Sequence, residues 1–260
     1  MSLSEIITIL IAFHQSGMAC FKYFYLELMR NYRNLFSYLV HYDRFAALIK
    51  LAFPALVCLL KTIEGVVTEY LCHNLRERRH KVFKGLAKKA RTSTGWVFWL
   101  KLHFIFNTHG EIVRMQITGG NVNDRSPVMN LMRDISAKLI GDKGYISKKL
   151  SAELFEQNAT LITNIKKKMK NCLMDITDKI MLMKRSFIET IFSSIKLLGT
   201  LVHHRHRSPI NAFTHLFAGL INYQIPTDKP SLRSVTKVES LNIVGVIPII
   251  QVLARLKMHS

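Results

Sequence analysis

Over residues 1–60 the apolar positions follow a rhythm of three to four residues, and beyond residue 63 they alternate. In the first run Ile6, Ile7, Leu10, Ile11, Phe13 and His14 keep helical spacing, with Ser4 placed to cap it. A second run, Phe21–Met29, carries Tyr23, Phe24, Tyr25, Leu26 and Leu28. A third, Asp43–Leu60, is expected to break at Pro54, because proline removes a helix donor. Short helices with aromatics and scattered arginines suit a small DNA-binding module and an ordinary helical support equally well.

From residue 63 the pattern predicts strands. Ile63–Cys72 holds Val66, Val67 and Thr68. Residues 73–95 are polar and basic without a clear period. Trp96–Phe106 is a long strand signal: Trp96, Phe98, Leu100, Leu102, Phe104 and Phe106 share one face, and Lys101 and His103 lie on the other. Residues 107–110 make a hairpin turn into a return strand, Glu111–Thr118. After the turn-rich segment 119–127, Ser126-Pro127 starts a helix running to about Lys138. Leu139-Ile140 is a short buried strand ending at Gly141-Asp142. Ser147 opens a helix to about Asn158, and Thr160–Ile165 is a strand. Helices over about Met181–Leu198 and Pro209–Tyr223 complete the pattern.

The expected order from residue 63 is β-β-β-α-β-α-β-α. That is the strand order of a ribonuclease-H-like α/β fold, with three antiparallel strands followed by alternating units. The expected division is a helical N-terminal region over 1–60, a ribonuclease-H-like domain over 61–232, and an appended, weakly ordered tail over 233–260.

Charge narrows the partners. The chain has 260 residues, with 37 Lys+Arg against 17 Asp+Glu and a net charge of +20. Such a balance favours a polyanion, nucleic acid first. A membrane role finds little support. Leu51–Leu60 is bracketed by Lys50 and Lys61, and Leu241–Leu253 is interrupted by Gly245, Pro248 and Gln251. The start lacks a basic leader, so a cytoplasmic location is expected. Cys20, Cys58, Cys72 and Cys172 form no C-x-x-C pair, which argues against a zinc site or a disulfide framework.

With seven Asp and ten Glu in the chain, an acid in a special place stands out. Asp142 sits at a strand's C-terminal end within GDKGY (141–145), a position suited to face a cleft; a plain turn aspartate reads equally well. Glu189 lies in KRSFIETIFSSIK (184–196). On a helix Arg185, Glu189 and Lys196 fall within about 40° of one another, though an exposed Arg–Glu pair is the commoner meaning of such spacing.

Taken together, GDKGY and R-x-x-x-E-x-x-x-x-x-x-K resemble the DDE transposases of bacterial insertion sequences. The runs CHN (72–74), RHKVFKGLAKK (79–89), STGW (93–96), KLH (101–103), GNVNDR (120–125) and HRHRS (204–208) resemble one branch, insertion-sequence family nine-eight-two, over roughly residues 1–232. The resemblance implies DNA cleavage and strand transfer assisted by two Mg²⁺ ions about 3.5–4 Å apart, with Mn²⁺ as a substitute. It implies Asp142 and Glu189 as catalytic metal ligands. Arg185 and Lys196 would hold phosphates beside the metals. Arg76, Arg78, Arg79, Lys81, Lys84, Lys101 and Lys143 are the further DNA contacts expected. The expected DNA is terminal inverted repeats and target, bound by a homodimer or larger assembly.

Three departures qualify the resemblance. The chain is expected to begin at an internal methionine of a longer family sequence. The tail after Leu232 has no counterpart. The family's first catalytic Asp, seven residues before the Cys of CHN, falls on Gly65, with Glu64 turned to the opposite strand face and Glu69 about 13 Å away along the strand. The expectation is therefore a copy that binds DNA and cuts it poorly. The alternatives are a non-catalytic DNA-binding remnant that occupies transposon ends and a ribonuclease-H-like nuclease of another kind.

Overall fold

The computed structural model describes residues 1–36, 38–62, 68–69, 88–92, 95–165, 169, 173–183, 186–197, 208–227, 229, 243–246 and 250–252. For 62, 68–69, 89–92, 95–99, 196–197, 243–246 and 250–252 it describes the backbone alone.

The chain begins with three α-helices: α1 (Leu3–Gln15), α2 (Phe21–Asn31) and α3 (Tyr42–Thr62). The cap of α1 is Ser2, not Ser4. Ser2 Oγ accepts from Glu5 N and Glu5 Oε2 accepts from Ser2 N at 2.6 Å, a reciprocal pair that sets the start two residues early. Of the positions the spacing singles out, Ile6, Leu10, Phe13 and His14 are buried and Ile7 and Ile11 half-buried, while Ile9, which it passes over, is fully buried. The expected break at Pro54 does not occur, and α3 runs through it. Pro54 and Lys50, whose carbonyl loses its helical donor, both lie on the solvent side, where water can reach that carbonyl. Phe45, Ile49, Ala52, Leu56 and Leu60 anchor the buried side.

Strands follow: β1 (Thr68–Glu69), β2 (Lys88–Thr92), β3 (Gly95–Asn107), β4 (Ile112–Gly119), β5 (Lys138–Gly141), β6 (Thr160–Thr163), β7 (Ile243–Val246) and β8 (Ile250–Val252). The described strands form a mixed sheet ordered β1-β4-β3-β7-β5-β6, with β2 and β8 also pairing β3. β3 and β4 make the expected antiparallel hairpin, and β5 and β6 the expected parallel pair. β3 is buried on both faces: Leu102, Phe104 and Phe106 on one, and Lys101, His103 and Ile105 on the other. This explains why its alternation breaks at Ile105.

Several expectations change. The polar stretch 73–95 contains β2, paired antiparallel to the first half of β3 from Lys88↔Trp99 to Thr92↔Gly95. Its basic side chains hid the strand from a reading based on hydrophobic period. Of the expected strand Ile63–Cys72, Thr68–Glu69 alone is described. It runs parallel to β4 at the sheet's outer edge, so it does not start an antiparallel trio. The helix expected over 127–138 is the single turn α4 (Val128–Leu131), because the chain reverses through left-handed Asp134 (φ 62°) to enter β5. Of the tail, Ile243–Val246 (β7) and Ile250–Val252 (β8) are described, and both pair within the sheet.

α5 (Lys148–Glu156) starts as expected at Ser147, whose Oγ accepts from Leu150 N. The helix expected over 181–198 is described as two, α6 (Ile176–Met183) and α7 (Ser186–Leu197). The last helix, α8 (Pro209–Gln224), packs on α1 and α3 and ends against the β3–β4 hairpin. There Gln224 Oε1 accepts from Ile112 N at 3.1 Å, Gln224 Nε2 donates to Ile112 O at 3.3 Å, and Tyr223 Oη donates to Gly110 O. One core joins Leu10, Phe45, Leu56, Phe104, Phe106 and Phe217. Among the described residues, no helix is long and apolar enough to cross a membrane.

Candidate active site

Asp142 follows β5 directly, in extended backbone (φ −78°, ψ 161°), and its Oδ1 accepts from Lys143 N at 2.7 Å. A one-turn 3-10 helix, Lys143–Tyr145, follows, closed by Tyr145 N donating to Asp142 O at 2.9 Å. Residue 141 has little room: a Cβ there would lie 3.3 Å from Leu161 Cδ1 and 3.6 Å from Tyr145 Cβ. Tyr145 folds back into the core, where it is buried. Burial raises the Tyr145 phenol, and the charges of Asp124 and Asp142 raise it further.

The loop after β4 braces this turn. Arg125 Nε donates to Gly144 O at 2.8 Å, and Asn123 Oδ1 accepts from Arg125 N at 3.1 Å. Lys101 rises from β3 beneath the loop and is nearly buried. Its Nζ donates to Val122 O and to Asp124 Oδ1, each at 2.7 Å. Two residues on, buried His103 shares a 2.8 Å hydrogen bond between Nε2 and Thr118 Oγ1. Burial lowers the His103 pKa to about 4, Asp124 opposes that shift and Lys101 adds to it. The imidazole is therefore neutral at neutral pH.

Glu189 stands on the exposed side of the first turn of α7. The opposite side buries Ile188, Ile191, Phe192 and Ile195. Phe192 meets Phe106 of β3 edge-on, ring centroids 5.8 Å apart, and Phe104 at 6.3 Å, so α7 lies across that face of β3. The donors offered by Asp142 and Glu189 are hard oxygens, of the kind Mg²⁺ prefers. Among the described residues, no three of His, Cys, Asp or Glu come together as a metal site.

The other residues singled out from sequence divide as follows. Lys143 is exposed beside Asp142. Lys101 is committed to Asp124 and Val122, so its ammonium does not face solvent. Lys196 lies in α7 by its backbone. Gly65, Arg76, Arg78, Arg79, Lys81, Lys84 and Arg185 lie outside the described residues. The sequence reading passed over Asp124, Arg125 and Tyr145 as individuals. The signal was present, since Asp124 is one of seven aspartates and sits in GNVNDR.

An acid at the C-terminal end of a buried strand, in a mixed sheet flanked by helices, defines an α/β protein compatible with a ribonuclease-H-like fold. The family model described as transposase DDE domain matches residues 63–209, more than half of the chain, and the chain belongs to that family. Searches of curated proteins and of solved structures returned no match.

Proposed function

We propose that this chain is a DDE transposase of a bacterial insertion sequence, built on a ribonuclease-H-like domain and impaired in this copy. The observation that carries the reading is Asp142, held at the end of β5 by its own turn and by the Arg125 brace, within the span matched by the family model. Asp142 and Glu189 are the proposed Mg²⁺ ligands. Bound Mg²⁺ supplies charge stabilisation at the phosphate and activates the nucleophile. Lys143, Arg185, Lys196 and the Arg76–Lys84 cluster are proposed to hold the DNA backbone, and terminal repeats and target DNA are the proposed substrates. Assembly on two transposon ends makes a dimer the smallest working unit.

One observation favours impairment, which would make this copy a DNA-binding remnant: position 65 carries glycine where the family resemblance expects the first catalytic Asp. With one carboxylate missing, the cage loses a bridging ligand and a negative charge. The test is binding and nicking of a labelled duplex bearing the terminal repeats that flank the gene. Salt-sensitive binding with no Mg²⁺- or Mn²⁺-dependent nicking is expected. Efficient nicking by the unmodified chain overturns the impairment, and absence of binding overturns the reading as a whole.

A further inference from the structure

A strand that sets a carboxylate beside Asp142 must lie next to β5, because neighbouring strands are about 4.8 Å apart and the next position is twice that. β5 has two flanks. β6 takes one, from Lys138↔Thr160 to Gly141↔Thr163. The tail strand β7 takes the other, from Lys138↔Ile243 to Ile140↔Gly245. Thr68–Glu69, from the segment expected to carry the first acid, pairs with β4 instead, four strand positions from β5. At about 4.8 Å per step that is roughly 19 Å.

The tail holds its place by pairing on both sides. β7 runs antiparallel to β3, from Ile105↔Val246 to Asn107↔Val244, and parallel to β5. β8 continues along β3, from Leu100↔Val252 to Leu102↔Ile250. Between β7 and β8 the register against β3 shifts by one residue. Pro248, which has no N–H to offer a ladder, lies in that interval of the sequence. The stretch 241–253 contains no Asp or Glu, so the strand filling the position beside β5 brings no carboxylate.

We propose that the tail strand β7 is an intramolecular plug that occupies the sheet position a carboxylate-bearing strand needs beside Asp142. Restoring an acid at position 65 then fails to restore cutting while the plug is seated. This inference rests on the transposase reading and on Gly65 as the place of the missing acid.

Two measurements on the full chain test it. The first is a cross-link. Ile105 and Val246 are directly paired, and opposed residues of antiparallel strands have Cα atoms about 4.5–5.5 Å apart, within disulfide range. The double variant Ile105→Cys, Val246→Cys is expected to form that disulfide under mild oxidation, read by mass spectrometry. The second is nicking, with Mg²⁺ or Mn²⁺, of a plasmid carrying the flanking terminal repeats. The chains compared are the unmodified one, Gly65→Asp, Gly245→Pro and the last two combined. A chain ending at Leu232 replaces the proline variant if that variant does not fold by circular dichroism. The combined variant alone is expected to nick, at least ten-fold above the other three. Failure of the cross-link, or nicking by Gly65→Asp alone at the combined rate, overturns the plug and leaves the transposase reading standing. A seated, cross-linkable tail with a folded combined variant that does not nick removes the assignment of position 65, and the plug with it.

Discussion

Arg125 Nε donates to the carbonyl of Gly144 at 2.8 Å, tying the loop after β4 to the turn that presents Asp142. The bond spans nineteen residues of sequence and lies on the exposed side of the turn, while Tyr145 anchors the buried side. Arg125→Ala removes the outer tie and leaves a carbonyl that water can satisfy. The expected cost is about 0.5–1.5 kcal/mol, confined to local opening of the turn. The effect is local: amides of Lys143–Tyr145 are expected to exchange several-fold faster, with the midpoint of thermal unfolding little changed. Unchanged exchange at those amides means the turn supports itself.

Lys101 and Asp124 pair at 2.7 Å, with the lysine side chain 11% exposed and the aspartate 46%. The two ends are unequal. Asp124→Asn strips the counter-charge from a nearly buried ammonium, whereas Lys101→Met leaves a carboxylate that solvent already reaches. Asp124→Asn is therefore expected to destabilise more, by about 1–3 kcal/mol, and the double variant less than the sum of the singles. Chemical denaturation of the four chains in the cycle measures this; additive losses mean the pair is not coupled.

The same pair marks where sequence reading reached its limit. The hairpin β3–β4, the β5 strand ending at Asp142 and the Ser147 cap were legible because alternation, turn chemistry and capping are local signals. Lys101 looked like a solvent-facing base, since strand alternation tells which face a side chain takes and not what covers that face. Its partner Asp124 lies beyond a hairpin, and no spacing rule joins them. β2 was missed because its lysines and arginine carry no apolar period. Pro54 misled because a helix held by a long buried face can continue through a proline on its exposed side. The tail strand was the hardest, since its neighbours β3 and β5 are fixed by topology and lie over a hundred residues away.

His103 makes the stability depend on pH with a definite sign. Its folded pKa is lowered to about 4 from an ordinary value of 6.5, chiefly by burial. The unfolded chain thus takes up a proton as pH falls through 6.5, while the folded chain resists until about 4. The group's contribution is fully present above 6.5 and is lost progressively as pH falls between those values, about 3 kcal/mol at most. His103→Gln, which can still bond Thr118, is expected to show a flatter stability curve between pH 6.5 and 4 than the parent. Parallel curves mean that His103 titrates normally.

Phe192 connects the packing of α7 to the place of Glu189. It is 6% exposed and meets Phe106 and Phe104 across the sheet. Phe192→Ala removes most of that aromatic contact, at an expected cost of about 3–5 kcal/mol. Glu189 is one turn away on the same helix, outside the core, so Glu189→Gln is expected to leave stability within about 0.5 kcal/mol. The two substitutions separate a structural role from an electrostatic one when DNA binding is measured. Without metal, a carboxylate near the phosphates repels them, so Glu189→Gln and Asp142→Asn are each expected to bind DNA more tightly than the parent in EDTA. Added Mg²⁺ is expected to narrow that difference, because in the parent it neutralises the same acids. Phe192→Ala lacks this signature: any loss of affinity follows the unfolded fraction and is the same with and without Mg²⁺. If neutralising either acid leaves DNA affinity in EDTA unchanged, that acid does not face the phosphates and leaves the proposed site.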